Sequence, residues 1–248
     1  MTLTLRYAAR SDRGLIRDGN EDAVYAGPRL LAVADGMGGH AAGEVASAVA
    51  IANLAPLDDD APGADLLAAL RQATLGANDQ LRDMVEADSE LAGMGTTLTA
   101  LLSAGSRLGL VHIGDSRAYL LRDGQLSQIT HDHTLVQTLV DEGRLSPEEA
   151  DSHPQRSLVT RALTGIDGLE LDLSVREART GDRYLLCTDG LSGVVSEDTM
   201  VDALSLADPQ EAVDKLVELA LRGGGPDNVT CIVADVVDTG QAGSGEPV

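Results

Sequence analysis

The stretch LLAVADGMGGHAAGE, residues 30–44, runs from an apolar segment into a charged carboxylate and then into a turn with few side chains. The segment LLAVA predicts a buried β-strand. Asp35 and Gly36 follow it directly, and the next four residues include two glycines and His40. The end of a buried strand holds a carboxylate rigidly at the rim of a core, and glycine leaves room for an ion to approach the backbone. A single Asp-Gly pair is nevertheless most often ordinary turn chemistry.

The same combination recurs at three other places along the chain. RLGLVHI is followed by Gly114 and Asp115, DRYLLCT by Asp189 and Gly190, and the turn GGGP by Asp227 at the start of a final strand. If these positions converge in space, their carboxylates repel one another unless a cation neutralises them. Hard divalent cations such as Mg²⁺ and Mn²⁺ prefer oxygen ligands of this kind. The recurrence therefore predicts a divalent-metal site, and hydrolysis of a phosphoester is one use of a two-metal site.

The remaining chain predicts an α+β fold built on antiparallel sheets. Segments 41–55 and 64–87 have helical periodicity, and a further helix is expected over 209–222. Short apolar strands lie between and after the helices, and the pair Asp123-Gly124 predicts a two-residue hairpin loop. Segment 131–165 interrupts the strands with polar, Pro-containing, partly helical sequence. We therefore expect one domain followed by a disordered, linker-like tail over residues 239–248.

Composition and charge exclude several classes of function. The chain has 18 Lys and Arg against 40 Asp and Glu, a formal net charge of −22, so nucleic acids and anionic membranes are repelled. Aromatic residues make up 2% of the chain, which leaves almost nothing for base stacking. No window reaches the roughly 18 to 20 apolar residues of a membrane span. Cys187 and Cys231 lie in apolar runs and are expected to be free core thiols, which suits the cytoplasm, with a disulfide between them as the alternative.

Two histidines of segment 131–165 need a separate interpretation. His131 and His133 flank Asp132 and could form half of a zinc site. No third and fourth soft ligand lies nearby in the sequence, so a polar contact at the base of the segment explains them better.

Six segments, in this order, resemble the PPM family of metal-dependent protein serine/threonine phosphatases, the type 2C phosphatases. They are SDRGLIRDGNEDA, ADGMGGH, GMGTTLTA, HIGDSRAYL, LLCTDGL and GGGPDNVT. The resemblance runs from about residue 5 to residue 237 and is greatest to bacterial, in particular actinobacterial, members. It implies two antiparallel sheets sandwiched between helical layers in an αββα order. It further implies a catalytic domain over residues 1–238, with a mobile flap at about 131–165 beside the active site, where substrate choice would be set.

The resemblance also implies a metal ligand set. Asp35 would bridge two Mn²⁺ or Mg²⁺ ions, and the carbonyl of Gly36 would be a ligand of the first ion. Asp189 and Asp227 would bind the second ion. Asp115, together with Asp189, would hold a third and weaker ion of the kind found in bacterial members.

Further positions match the family's water-holding and substrate-binding residues. Glu21 and Asp22 would hold metal-bound waters, and Arg17 would grip the substrate phosphate. Many eukaryotic members carry a proposed general acid, a histidine, directly after the Asp-Gly pair, whereas Met37 stands there in this chain. His40, three residues later, follows the bacterial pattern. It would either protonate the leaving group or order the glycine turn, and both roles stay open.

These residues imply an enzyme that hydrolyses phosphoserine and phosphothreonine on proteins with a metal-activated water, and so opposes serine/threonine protein kinases. Its expected partners are phosphorylated proteins, including those kinases and their substrates, and we expect a monomer in the cytoplasm. Some similar bacterial proteins continue through such a linker into a transmembrane helix, so the resemblance leaves open a second localisation, as the cytosolic domain of a membrane-anchored protein. The alternative function is a catalytically weak module that binds phosphoproteins or senses metal ions.

Overall fold

Two antiparallel β-sheets lie face to face at the centre of the molecule. The computed structural model describes residues 3–39, 41–59 and 65–239. The first sheet contains, in spatial order, β1 (Leu3–Asp12), β11 (Val229–Asp238), β10 (Arg183–Cys187), β7 (Arg117–Arg122) and β8 (Gln125–Gln128). The second contains β2 (Asp22–Ala26), β3 (Leu30–Met37), β5 (Leu98–Ala104), β6 (Arg107–Ile113) and β9 (Asp172–Glu177). The short strand β4 (Gly95–Thr96) pairs with the end of β3.

A helical layer covers the outer face of each sheet. The helices α1 (Ala41–Leu54) and α2 (Leu66–Ala87) pack on the second sheet. The helices α6 (Glu197–Leu204) and α7 (Pro209–Arg222) pack on the first sheet. This order of layers confirms the expected α+β fold with two antiparallel sheets between helices.

Apolar residues fill the three spaces between the four layers, and β3 shows why its sequence is apolar throughout. Leu31 and Val33 belong to the cluster between the two sheets, whereas Leu30, Ala32 and Ala34 belong to the cluster beneath α1 and α2. A strand that is covered on both faces has no position for a solvated side chain. Its first charged residue therefore comes where it reaches the edge of the core, at Asp35.

The strand β3 does not end at Asp35, as the sequence suggests, but continues through Gly36 to Met37. The extension forms because Gly36 and Met37 pair with Thr96 and Gly95 of β4. Gly36 has no room for a side chain, since a Cβ there would collide with the carbonyl oxygen of Gly43 in α1.

The other expected elements are present with small shifts at their ends. The helices expected over 41–55, 64–87 and 209–222 are α1, α2 and α7. Asp123 and Gly124 join β7 to β8 with φ angles of 53° and 78°, the left-handed conformation that such a two-residue loop requires. Cys187 and Cys231 are buried and, within the part of the chain that is described, form no disulfide, as expected. The sequence pattern did not predict β9 or α6.

The segment 131–165, expected as a partly helical excursion, contains α3 (Leu135–Asp141) and α4 (Pro147–Asp151). Isolated β-bridges between Thr134 and Val159, and between Thr96 and Leu163, fasten its two arms. Within the described ranges, no helix combines the length and apolar character that a membrane crossing requires. The predicted tail lies outside the described residues from position 240 onward.

The close approach at Gly36 predicts that Gly36→Ala destabilises the protein by about 2 to 4 kcal/mol, because β3 and α1 must separate to admit the methyl group. Thermal unfolding followed by circular dichroism measures the effect. Gly19→Ala is the matched control, since a Cβ at Gly19 meets nothing within 4 Å. A Gly36→Ala protein that melts together with the control would show that the two elements are not in tight contact.

Candidate metal centre

Five aspartates from separate strands meet at one end of the sheet pair: Asp22, Asp35, Asp115, Asp189 and Asp227. Asp22 and Asp35 face each other in the pairing of β2 with β3. Asp115 follows β6, Asp189 follows β10 at the start of the short helix α5 (Asp189–Ser192), and Asp227 precedes β11. The charges of these five groups act on one another's ionisation. The structure thus brings together the carboxylates that the sequence places far apart.

Burial makes these carboxylates difficult to ionise. Burial raises the pKa of Asp35 well above its usual range, and the neighbouring charges of Asp22 and Asp189 raise it further. Loss of solvent raises the pKa of Asp22 and that of Asp115 to about 7. The pKa of Asp189 is also raised, by burial and by the charge of Asp227, although a hydrogen bond with Asp35 opposes the rise. Without a cation, this group is expected to hold protons near neutral pH.

Hydroxyl groups orient two of the aspartates. The Thr188 hydroxyl donates to Asp22 Oδ2 at 2.9 Å. The backbone N–H of Asp35 donates to Thr97 Oγ1 at 2.9 Å, and Thr97 Oγ1 lies 2.8 Å from Ser116 Oγ. No positioning role was predicted for these residues from the sequence, although Thr188 and Thr97 lie in the motifs LLCTDGL and GMGTTLTA.

Asn228 connects the loop that carries Arg17 to the start of β11. Its Nδ2 donates to the carbonyl oxygens of Arg13 and Gly19, each at 2.8 Å. Its Oδ1 accepts from the backbone N–H of Glu21 at 2.8 Å. This buried amide thereby fixes the path of the loop on which both Arg17 and Glu21 sit.

Glu21 lies against the start of α1. Its carbonyl oxygen accepts hydrogen bonds from Gly36 N–H at 3.1 Å and from Ser47 Oγ at 2.6 Å. A Cβ on Gly43 would collide with the Glu21 carboxylate, so this side chain rests on the bare backbone of the helix. Glu21 and Gly36 are therefore held at the same edge as Asp35.

Arg17 lies at the rim of the acidic group and binds one of its members. Its Nη2 donates to Asp227 Oδ2 at 2.6 Å, with 54% of the Arg17 side chain still exposed. Asp227 Oδ1 accepts from the backbone N–H of Asn228 at 2.8 Å. The hydrogen bond that Arg17 donates to Asp227 is the largest of the effects that raise the pKa of Arg17, and the charges of Glu21 and Asp35 add to it. His40 lies outside the described residues, so its role stays a prediction.

The donor set fits hard divalent cations in its chemistry and its burial. Asp22 Oδ1 and Asp189 Oδ1 are buried and have no hydrogen-bond partner within the described part of the chain, a costly state for carboxylate oxygens unless an ion or water meets them. Yet among residues 3–39, 41–59 and 65–239 no three acidic, histidine or cysteine side chains stand close enough to chelate one ion as they are placed. Asp227 and Asp22 are engaged by Arg17 and by Thr188, respectively. A bound cation would have to compete with them.

Comparisons with known proteins give a consistent result. A family model described as "Protein phosphatase 2C" matches residues 15–228. The serine/threonine protein phosphatase PstP of Mycobacterium tuberculosis is 68% identical over 238 residues, which cover 96% of this chain and 46% of PstP. The chain therefore spans about half the length of that relative. The serine/threonine phosphatase stp of Listeria monocytogenes is 38% identical over 239 residues, covering 91% of this chain and 94% of stp.

Two solved structures of PstP proteins, the first from M. tuberculosis, are similar to this chain. A crystal structure of PstP has a TM-score of 0.93 and 66% identity, and the match covers 95% of this chain and 100% of the other. A structure of the PstP catalytic domain in complex with two manganese ions has a TM-score of 0.91 and 65% identity, covering 96% and 100% of the two chains.

The raised pKa values predict that the protein in chelator becomes more stable as the pH falls from about 8 to about 6. A carboxylate whose pKa in the folded state exceeds its unfolded value of about 3.9 binds its proton first in the folded state, so lowering the pH favours folding. Melting temperatures measured in chelator across this range test the expectation. Asp35→Asn should raise the melting temperature at pH 8 and flatten the profile, since it removes a buried charge.

The matched control for that experiment is Asp83→Asn, an exposed aspartate on α2. We expect it to leave the profile unchanged. A flat wild-type profile in chelator, or a lower melting temperature for Asp35→Asn at pH 8, would contradict the electrostatic account of this group.

Proposed function

Because the chain belongs to the protein phosphatase 2C family, we propose that it is a metal-dependent phosphatase acting on phosphoserine and phosphothreonine in proteins. The observation that carries the proposal is the group of five aspartates at one edge of the sheets, four of which have raised pKa values, with Arg17 bound to the fifth at its rim. In its ionised form such a group repels a phosphate dianion by several kcal/mol unless cations neutralise it. Bound Mn²⁺ or Mg²⁺ would supply that neutralisation and an activated water for attack on phosphorus. Metal is therefore expected to be needed for substrate binding as well as for hydrolysis.

We assign the five ligand positions as follows. Asp35 would bridge two ions, the Gly36 carbonyl would bind the first ion, and Asp189 and Asp227 would bind the second. Asp115 and Asp189 would hold a third, weaker ion. The support is that all four aspartates lie in one electrostatically coupled group and that the similar PstP catalytic domain was solved with two manganese ions.

The remaining site residues act on the substrate or on water. Arg17 offers a planar guanidinium that can make two parallel hydrogen bonds to the phosphate, a geometry that lysine does not reproduce. Asp22, fixed by Thr188, and Glu21, fixed by Asn228 and α1, would orient water at the centre. His40 is the proposed proton donor to the leaving serine or threonine oxygen, with ordering of the glycine turn as its other role.

We further propose that residues 1–238 form the catalytic domain and that the flap, residues 131–165, contributes to substrate choice. Phosphorylated proteins, including serine/threonine protein kinases and their substrates, are the expected partners. The domain would act as a monomer in the cytoplasm, and two buried, reduced cysteines suit that compartment. The finding that the chain spans about half of PstP also allows it to be the cytosolic part of a longer, membrane-anchored protein.

The decisive experiment is release of phosphate from a phosphothreonine peptide with Mn²⁺ and with chelator. We expect turnover only with Mn²⁺, and a loss of at least about a hundredfold in Asp35→Asn. Asp83→Asn removes the same charge from the surface of α2 and should retain full activity. Turnover in chelator, or an active Asp35→Asn, would contradict the assignment. A protein that binds the peptide with Mn²⁺ but releases no phosphate would be the alternative phosphoprotein-binding module.

Arg17→Ala should raise the KM for the phosphopeptide by about tenfold or more, because a charge-assisted bidentate contact to phosphate is lost. Mn²⁺ binding measured by calorimetry should be as tight as in the wild type or tighter, since Asp227 loses its competing partner. Arg13→Ala, an exposed arginine of the same loop, is the control. An unchanged KM in Arg17→Ala would show that Arg17 does not bind the phosphate.

A further inference from the structure

His133, at the base of the flap, makes hydrogen bonds with both the N–H and the carbonyl oxygen of Gly114. The backbone N–H of His133 donates to the Gly114 carbonyl oxygen at 2.8 Å. In return the Gly114 N–H donates to His133 Nδ1 at 3.0 Å. This paired contact is made by the residue directly before Asp115, in a buried part of the chain.

Gly114 has little freedom to move within this contact. Its φ angle is +109°, a conformation open to glycine, and a Cβ there would lie 2.5 Å from the Thr97 side chain. Thr97 is the residue whose hydroxyl accepts from the Asp35 backbone. The Gly114 peptide is therefore wedged between His133 and a residue that supports Asp35, and its orientation decides where the Asp115 carboxylate lies.

The imidazole of His133 has one defined form. Because Gly114 N–H can only donate, Nδ1 carries the lone pair and the ring proton sits on Nε2, which lies 3.2 Å from Asp172 Oδ2. The side chain is 1% exposed, and its ring packs 4.8 Å from the ring of His112. Burial lowers the pKa of His133, which agrees with a neutral ring.

The same residue is the point at which the two arms of the flap meet. The carbonyl oxygen of His133 accepts from Thr160 N–H at 2.8 Å, and the next residue, Thr134, bridges Val159. Arg161 Nη1 lies 3.4 Å from the other carboxylate oxygen of Asp172. The outgoing arm, the returning arm and the backbone before Asp115 are thus joined through one side chain and its peptide.

We propose that His133 is a positioning residue that orients Asp115, through Gly114, for the third divalent cation. The inference rests on the proposed function, which assigns Asp115 and Asp189 to that ion. If Nδ1 is lost, the buried Gly114 N–H has no acceptor and its peptide must turn to find one. Asp115 would turn with it, whereas Asp35 and Asp227, two of the ligands proposed for the core ions, are held by other contacts.

Two substitutions separate this role from general packing. In His133→Asn the amide oxygen can occupy the place of Nδ1, which keeps an acceptor for Gly114 while the contact with Asp172 is lost. In His133→Gln the longer side chain reaches toward the place of Nε2 and Asp172 but leaves no acceptor at the Nδ1 position. Both variants remove the ring from its contact with His112, so they share the loss of packing.

The test is calorimetric titration of the chain with Mn²⁺, which separates tight from weak sites, together with melting temperatures in chelator. We expect His133→Gln to weaken the weakest site by about tenfold or more, the usual effect of removing a group that orients a ligand, with the two tight sites unchanged. His133→Asn should retain the weak site within about threefold. Asp115→Asn gives the reference profile for a protein without that site.

Equal weakening in the Asn and Gln variants, or a loss that follows the melting temperature instead of the acceptor, would overturn the proposal. A wild-type protein with two tight sites and no weak site would overturn it as well, while leaving the proposed phosphatase function intact. A wild-type protein that binds no Mn²⁺ would instead refute the proposed function and this inference together.

Discussion

The repulsion among Asp22, Asp35, Asp115 and Asp189, with Asp227 beside them, is the constraint on which the rest of the site depends. A pKa raised from 3.8 to about 7, as for Asp22 and Asp115, corresponds to a cost on the order of 4 kcal/mol for holding each charge in the folded state. That is a large fraction of the 5 to 15 kcal/mol by which domains are typically stable. Divalent cations offset this cost, so a site that is unfavourable alone becomes a selective place to bind them.

The apolar core determines where the aspartates lie. The cluster between the sheets includes Leu31 and Val33 of β3 together with Leu186 of β10 and Ile232 of β11. Because these strands are packed against one another, their ends and the residues beside them lie at one edge of the molecule. The hydrogen bond from Thr188, after β10 of the first sheet, to Asp22, on β2 of the second, crosses between the sheets at that edge. The apolar packing between the sheets, which lies away from the aspartates, thereby fixes the distances between their carboxylates.

Burial also determines how much of the fold and of the metal centre can be predicted from the sequence. Continuous apolar runs that end in Asp and Gly indicated the buried strands and also Asp35, Asp115 and Asp189. Consecutive residues of a strand that is covered on both faces are all apolar, so the first carboxylate marks the place where the strand leaves the core. The sequence did not predict β9 because this strand lies at a sheet edge. Four of its six residues are partly buried and two are exposed, so its apolar pattern is weak. Asn228 could not be recognised as a positioning residue, since its partners lie more than 200 positions away. The sequence predicted that His133 makes a polar contact at the base of the flap. It could not predict the partner, because the Gly114 N–H belongs to the backbone and leaves no pattern in the sequence.

The ion pair between Arg17 and Asp227 joins the residue proposed to bind phosphate to a residue proposed to bind metal. Arg17 Nη2 donates to Asp227 Oδ2 at 2.6 Å, so the guanidinium and the carboxylate neutralise one another. If the proposed roles hold, a cation bound by the Asp227 carboxylate would free Arg17 for a phosphate, and a phosphate bound by Arg17 would free Asp227 for a cation. Linkage makes the two effects equal in free energy, so under that proposal metal and phosphate binding would favour one another through this contact. Neutralisation of the buried aspartates acts in the same direction, because it removes the charge that repels the phosphate.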